Sequence, residues 1–378
     1  MIDDVFVEER TWNLDLGRVQ LGGLVIGVLG VVAGVIGWMS APSEFFHSYL
    51  MAYLLWLGIA LGSLSLLMIH HMTGGYWGWA TRHIFESSTR TLPLLALLLI
   101  PILIGIPHLY LWANAEEVHK SVILRAKAPY LNTTWFIIRM VIYFVIWFAL
   151  TFLLNRHAEG APVRLRRISG PGLVIQAFVI TFAVVDLIMS LEPEWFSTIF
   201  GLIFCVGQLL SAMGLAVITL TLFSDRRPFD AVLIPSRFQD LGNLMLAFVM
   251  LWAYTSFSQY LIIWAENLPD EIPFYTHRLD RGWQWIAAML VLFHFAVPFL
   301  LLLMRFVKKR AQILMGVSIG LIFMRLLDLF WLVEPARTAA FRISWLDVVM
   351  PIGVGGLWLS AFIWNLRRVP PAPAPFGG

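Results

Sequence analysis

Acid, base and guanidinium groups stand inside stretches otherwise built of Leu, Val, Phe and Trp. Asp186 lies in A-V-V-D-L-I-M-S, Arg325 and Asp328 in F-M-R-L-L-D-L-F, and His294 in V-L-F-H-F-A-V. His47, His70, His71 and His108 occupy similar surroundings, and Glu192, Glu194, Glu266, Glu334 and Asp347 border such runs. Ionisable groups in an apolar medium are costly and are functional hypotheses by default. The chemistry these types offer is proton transfer, because His and carboxyl groups bind and release protons without a permanent charge. Other chemistries lack their residues. Cys205 is the lone cysteine, which excludes a disulfide framework, a Cys-ligated iron–sulfur cluster and C-x-x-C-H haem attachment. Zinc spacing, a P-loop and a Rossmann glycine pattern are absent, as is any nucleic-acid module. His47 and His108 share one face but have no second His pair at matching depth, so a b-type haem is not expected, and no metal site is.

The apolar runs set the frame for these groups. Of 378 residues, 60% are hydrophobic and 13% charged, and mean hydropathy is +0.81. A soluble domain carries about 25% charged residues, so the chain reads as an all-α integral membrane protein. A span needs about 20 apolar residues. Ten runs qualify: 19–40, 44–72, 90–113, 134–155, 172–192, 195–222, 241–266, 281–305, 311–334 and 343–366. The first follows an acidic stretch (Asp3, Asp4, Glu8, Glu9) and reads as a span rather than a cleaved leader. Residues 1–18 then form an N-terminal tail, 19–366 the polytopic membrane domain, and 367–378 a Pro-rich tail expected to be disordered. Pro93, Pro101 and Pro107 must bend the third run, and Pro298 and Pro351 act likewise in the eighth and tenth.

Ten spans place both termini on one side. Of the 26 Lys and Arg residues, 17 fall on the side of the termini and 7 opposite, with Arg139 and Arg325 inside runs. Basic residues favour the cytoplasm, so both termini are expected there. That orientation gathers His47, His108, Asp186, Arg325, Asp328 and Glu192 in the outer half, and leaves His70 and His71 near the inner end of the second run. Each group has a plain structural reading beside the functional one. Arg325 and Asp328, three residues apart on one helix face, either neutralise each other or hold a proton. Asp186 has no partner in its own helix and is the stronger proton-site candidate. Glu192 and Glu194 are either interfacial residues in a wet turn or part of the path. His108, after Pro107, either caps freed carbonyls or serves as a base. The seventh run carries Tyr254, Ser256, Ser258, Gln259 and Tyr260, and the sixth Gln208 and Ser211. These either stitch helices together or support a water wire to His294.

Longer strings carry a family resemblance. They are F-F-H-S-Y-L-M-A-Y-L-L-W-L-G-I-A-L-G-S-L (45–64), M-I-H-H-M-T-G-G (68–75), I-P-H-L-Y-L-W-A (106–113), S-L-E-P-E-W-F-S-T-I-F-G (190–201), D-L-G-N-L-M-L-A-F-V-M-L-W-A-Y (240–254) and S-F-S-Q-Y-L-I-I-W (256–264). Over residues 40–335 the sequence resembles the F subunit of bacterial alternative complex III, of the NrfD-like polysulfide-reductase membrane-subunit family. The resemblance implies two four-helix bundles, about 44–192 and 195–334, related by an inverted pseudo-repeat, with two peripheral helices. No convincing internal sequence repeat accompanies it.

The resemblance also implies a role in a respiratory or photosynthetic electron-transport chain. The complex oxidises menaquinol or another quinol. It passes electrons through iron–sulfur clusters and c-type haems on partner subunits to a cytochrome c, a blue-copper protein or a terminal oxidase. The expected partners are a homologous C subunit, the iron–sulfur protein, c-type haem subunits, small membrane subunits and lipids. This chain would contribute a proton path, and the outer cluster could instead meet a quinone head group. The competing readings are a proton-coupled secondary transporter and a purely structural scaffold.

Overall fold

The computed structural model describes residues 16–158, 162–223 and 235–368. Nearly all of the expected N-terminal tail and of the Pro-rich C-terminal tail lies outside the described residues. Among those described there are helices and turns and no strand. Ten helices are long and apolar enough to cross a membrane: α1 (Leu16–Ser40), α2 (Pro42–Thr73), α3 (Tyr76–Ile104), α4 (Thr133–Arg156), α5 (Pro162–Leu191), α6 (Phe200–Leu222), α7 (Pro235–Glu266), α8 (Trp283–Leu303), α9 (Ala311–Ala336) and α10 (Leu346–Leu366). The chain is an all-α multi-pass membrane protein. Arg367 donates to Gln20 Oε1 at 3.2 Å, so the start of α1 and the end of α10 meet at one face, the terminal face. The other is called the opposite face.

Two boundaries move. The third span starts at Tyr76 rather than residue 90, so the stretch taken as a loop is helix. Its polar residues are paired inside the protein rather than wetted: Arg82 bonds Glu86 at 2.7 Å and Ser63 bonds Ser88 at 3.0 Å. The fifth span starts at Pro162 rather than residue 172. The expected bending of α3 is present. Its helix is interrupted at residues 90–91, at 99 and again at 105, each break just before a proline. In α8 the turn over Leu290–Ala296 widens to π geometry just before Pro298. Proline has no N–H to close the turn that His294's carbonyl would accept, so the ladder is broken there.

The packing order resolves two bundles. Helices α2 to α5 contact one another in a ring, as do α6 to α9, while α1 and α10 pair on the outside against α2. Helix α2 meets α6 at the centre, flanked by α5 against α6 and α9 against α2. This accounts for their burial: the apolar windows of α2 and α6 are 89% and 83% buried, that of α1 only 17%. The central crossing is built on small residues. A Cβ on Gly62 would lie 2.1 Å from the Gln208 carbonyl oxygen, so only glycine lets these backbones approach.

Helices α5 and α9, equivalent in chain order, end in one string: D-L-I-M-S-L-E-P at 186–193 and D-L-F-W-L-V-E-P at 328–335. The repeat D-L-x4-E-P supports the two-bundle relation. Four crossings per bundle bring the chain back to the side it left, so α2 and α6 run in the same direction. The all-α class and the count of ten stand.

Helix α1 holds to α10 through glycines. A Cβ on Gly30 would meet the Gly353 Cα at 2.3 Å, whereas one on Gly22 would meet nothing within 4 Å. Gly30→Leu should therefore cost about 1–3 kcal/mol through overpacking and lower the thermal midpoint in detergent, while Gly22→Leu leaves it in place. Equal losses in the two variants would show that the close approach does not hold α1.

Candidate functional site

In the first bundle Asp186 is fully buried on α5, and α4 supplies what its own helix lacks. Arg139 grips both carboxylate oxygens, Nε to Oδ2 and Nη2 to Oδ1, each at 2.9 Å. One turn along α4, Tyr143 donates to Oδ2 at 2.7 Å. Asp186, with no partner in its own helix, finds one on α4, where a bidentate guanidinium and a further hydroxyl close around the carboxyl group. Arg139 also stacks over the Tyr130 ring at 3.9 Å and donates to its carbonyl at 2.9 Å. Tyr130 lies before α4, and burial and then the Asp186 charge push its phenol up to about 12.

The ion pair of the second bundle is less fully bonded. Arg325 and Asp328, one turn apart on α9, are both buried and joined by a hydrogen bond from Nη1 to Oδ2. The guanidinium reaches across α6, lying 4.4 Å from the centre of the Phe204 ring and against Gly207, where a side chain would collide with it. His294, on the widened turn of α8, is fully buried with its ring centroid 4.1 Å from that of Trp252 on α7. The Met324 carbonyl lies beside it, yet neither ring nitrogen has a partner with hydrogen-bond geometry. Arg325 Nη2 and Gln208 Oε1, also buried, have none either. Buried groups of this kind are ordinarily satisfied by bound water. The polar centre of this bundle therefore differs in kind from the closed pair around Asp186.

At the opposite face the two E-P turns hold two more arginines. Arg278, only 1% exposed, bonds Glu192 and donates to the carbonyls of Phe274, Trp331 and Leu332, while its guanidinium lies 3.8 Å from the Phe274 ring centre. Arg337 bonds Glu334 at 2.7 Å and faces Glu44 at 3.6 Å. His47 is buried close by on α2, its Nδ1 bonded to the Ser43 carbonyl at 2.8 Å. A cavity of about 680 Å³ opens between the turns, lined among others by Glu192, Glu194, His277, Asp280, Arg281 and Arg337.

The single outer cluster expected from the sequence is in fact several sites. His47 joins the Glu334 region, Asp186 joins Arg139, and Arg325 with Asp328 joins His294. His108 is exposed and stacks on Phe46 at 5.3 Å, at an apolar groove of about 210 Å³ between α1, α2, α3 and α10. His70 and His71 adjoin at the end of α2, where His71 Nδ1 meets Ser169 Oγ at 2.9 Å. In α7 the supposed polar stripe divides. Tyr254 is 68% exposed on the outward face and Ser258 is half-buried, whereas Gln259 turns inward, bonded to Ser197 at 2.7 Å and Tyr275 at 3.0 Å. Residues passed over in the sequence include Arg139, Tyr143, Trp252, Arg278 and Glu86. Arg139 and Tyr143 had a visible signal, since four-residue spacing puts a cation and a phenol on one helix face. Arg278 had none, because it lies in the loop after α7.

Neither the models of known families nor the curated proteins contain a match to this chain.

Removing one member of a buried pair leaves an uncompensated charge, at a cost of about 3–5 kcal/mol. Arg139→Leu should thus lower the thermal midpoint sharply, and adding Asp186→Leu should restore most of the loss. A double variant no more stable than Arg139→Leu would disprove the pairing as the source of the effect.

Proposed function

We propose that this chain is a membrane subunit of a quinol:electron-acceptor oxidoreductase of the alternative complex III type, and that its own contribution is a proton path through the second bundle. The observation that carries this reading is the polar centre formed by His294, Arg325 and Asp328. It is buried, it holds a titratable imidazole with both nitrogens unpartnered, and it lies on a broken turn where α8 departs from regular geometry. His294 and Asp328 each exchange a proton there, beside the Arg325 guanidinium. Water bound to the orphaned nitrogens would carry the proton onward.

The resemblance along 40–335 supplies the rest of the assignment. Iron–sulfur clusters and c-type haems belong to partner subunits, and a quinol supplies electrons and protons when bound to the complex. The groove between α1, α2, α3 and α10 is lined by Trp38, Phe45, Phe46, Tyr49 and other apolar residues, which suits a prenyl tail. His108, against Phe46, is the base a head group would meet there. The uneven Lys and Arg distribution supports cytoplasmic termini and an outward opposite face, and the resemblance supports a bacterial inner membrane.

Purification from native membranes tests the assignment: haem- and iron–sulfur-containing subunits should accompany the chain, and a chain that purifies alone points to a transporter. In the intact complex, Asp328→Asn should leave the complex assembled and reduce protons moved per electron by at least half. An unchanged ratio in both Asp328→Asn and His294→Leu would leave the buried centre a packing device.

A further inference from the structure

The two E-P turns balance their glutamates differently. Glu192 has a buried guanidinium of its own, Arg278, whose remaining donors go to backbone carbonyls. Glu334 shares. Its partner Arg337 also faces Glu44 Oε1 at 3.6 Å. Ser344 ties Glu44 to Asp347, its hydroxyl 3.0 Å from Glu44 Oε2 and its N–H 2.7 Å from Asp347 Oδ2. Ser48 donates to the other oxygen of Asp347 at 2.5 Å. The charged and titratable groups of the cluster are Glu44 and His47 on α2, Glu334 and Arg337 at the end of α9, Arg342 in the loop, and Asp347 on α10. Arg342 stands 4.0 Å from Glu44 with its side chain 73% exposed, so water competes for this pair and it contributes little. Three carboxyl groups therefore meet one buried guanidinium. Even a protonated His47 would leave the cluster one negative charge in excess.

Burial decides where that excess goes. An unpaired carboxylate out of water is far more costly than its neutral acid, and the group takes up a proton instead. Both oxygens of Asp347 have a hydrogen-bond partner, Ser48 and Ser344. Glu44 is 23% exposed along its side chain and keeps some water. Glu334 is 0% exposed, and its Oε1 is buried with no hydrogen-bond partner. Among the described residues no group of three or more His, Cys, Asp and Glu has the arrangement to hold a metal ion.

We propose that the Glu44–Glu334–Asp347 cluster is a proton-binding site that carries one proton on Glu334 at neutral pH. Arg337, bonded to Glu334, lines the cavity at the opposite face, so the site exchanges with that cavity. The site stands on the charges alone and holds whatever the chain's partners are.

Infrared spectroscopy of the full chain in lipid nanodiscs tests it. At pH 7 the wild type should show the carbonyl stretch of a protonated carboxylic acid, shifted in D2O, lost as the pH is raised and missing from Glu334→Gln. A spectrum unchanged by Glu334→Gln overturns the assignment. Glu44→Gln removes one competing charge and should lower the pH at which the band disappears by about one unit, a tenfold weaker proton affinity. An unmoved titration in that variant overturns the shared cluster even if Glu334→Gln fails to fold.

Discussion

Charge placed among apolar helices has no water to stabilise it, and most of the architecture answers that constraint. Asp186 draws Arg139 from the neighbouring helix, Glu192 draws Arg278 from the loop after α7, and Glu86 takes Arg82 one turn away. The first two pairs each tie two segments together more firmly than apolar packing could, since lipid tails compete for apolar contact and not for a guanidinium. The pairs thereby fix the depth and rotation of α4, α5 and the loop on the opposite face.

Where the same constraint is met incompletely, the molecule becomes chemically interesting. Around His294 the donors and acceptors outnumber their protein partners, and around Glu334 the carboxylates outnumber the guanidinium groups. Both lie in or beside the second bundle. In the first bundle the ion pair at Asp186 is closed by Arg139 and Tyr143. The shared D-L-x4-E-P string thus ends two helices whose acidic residues are balanced differently.

Close helix contacts make these placements possible. At Gly62 against α6 and Gly30 against α10, backbones approach within distances that any side chain would prevent. The first contact seats α6 against the centre of α2 and so brings Arg325 of α9 against Gly207. The second anchors α10, whose first turn delivers Asp347 to Glu334.

Run lengths and the near-absence of charge determined the fold class by themselves, because a helix must satisfy its own backbone in lipid and about twenty apolar residues suffice. They also marked Asp186, His294, Arg325 and Asp328 as exceptional, since a charge in such a run is conspicuous wherever it points. The start of α3 was not legible, because its polar residues are paired internally and imitate a wet loop. Partnership was not legible either. Arg139 and Asp186 are far apart in sequence, as are Glu44 and Asp347, and Tyr254 stands among inward residues yet faces out. Only the tertiary structure decided which charges meet, because an ion pair depends on the rotation and depth of two helices, and sequence periodicity records the face of one helix at a time.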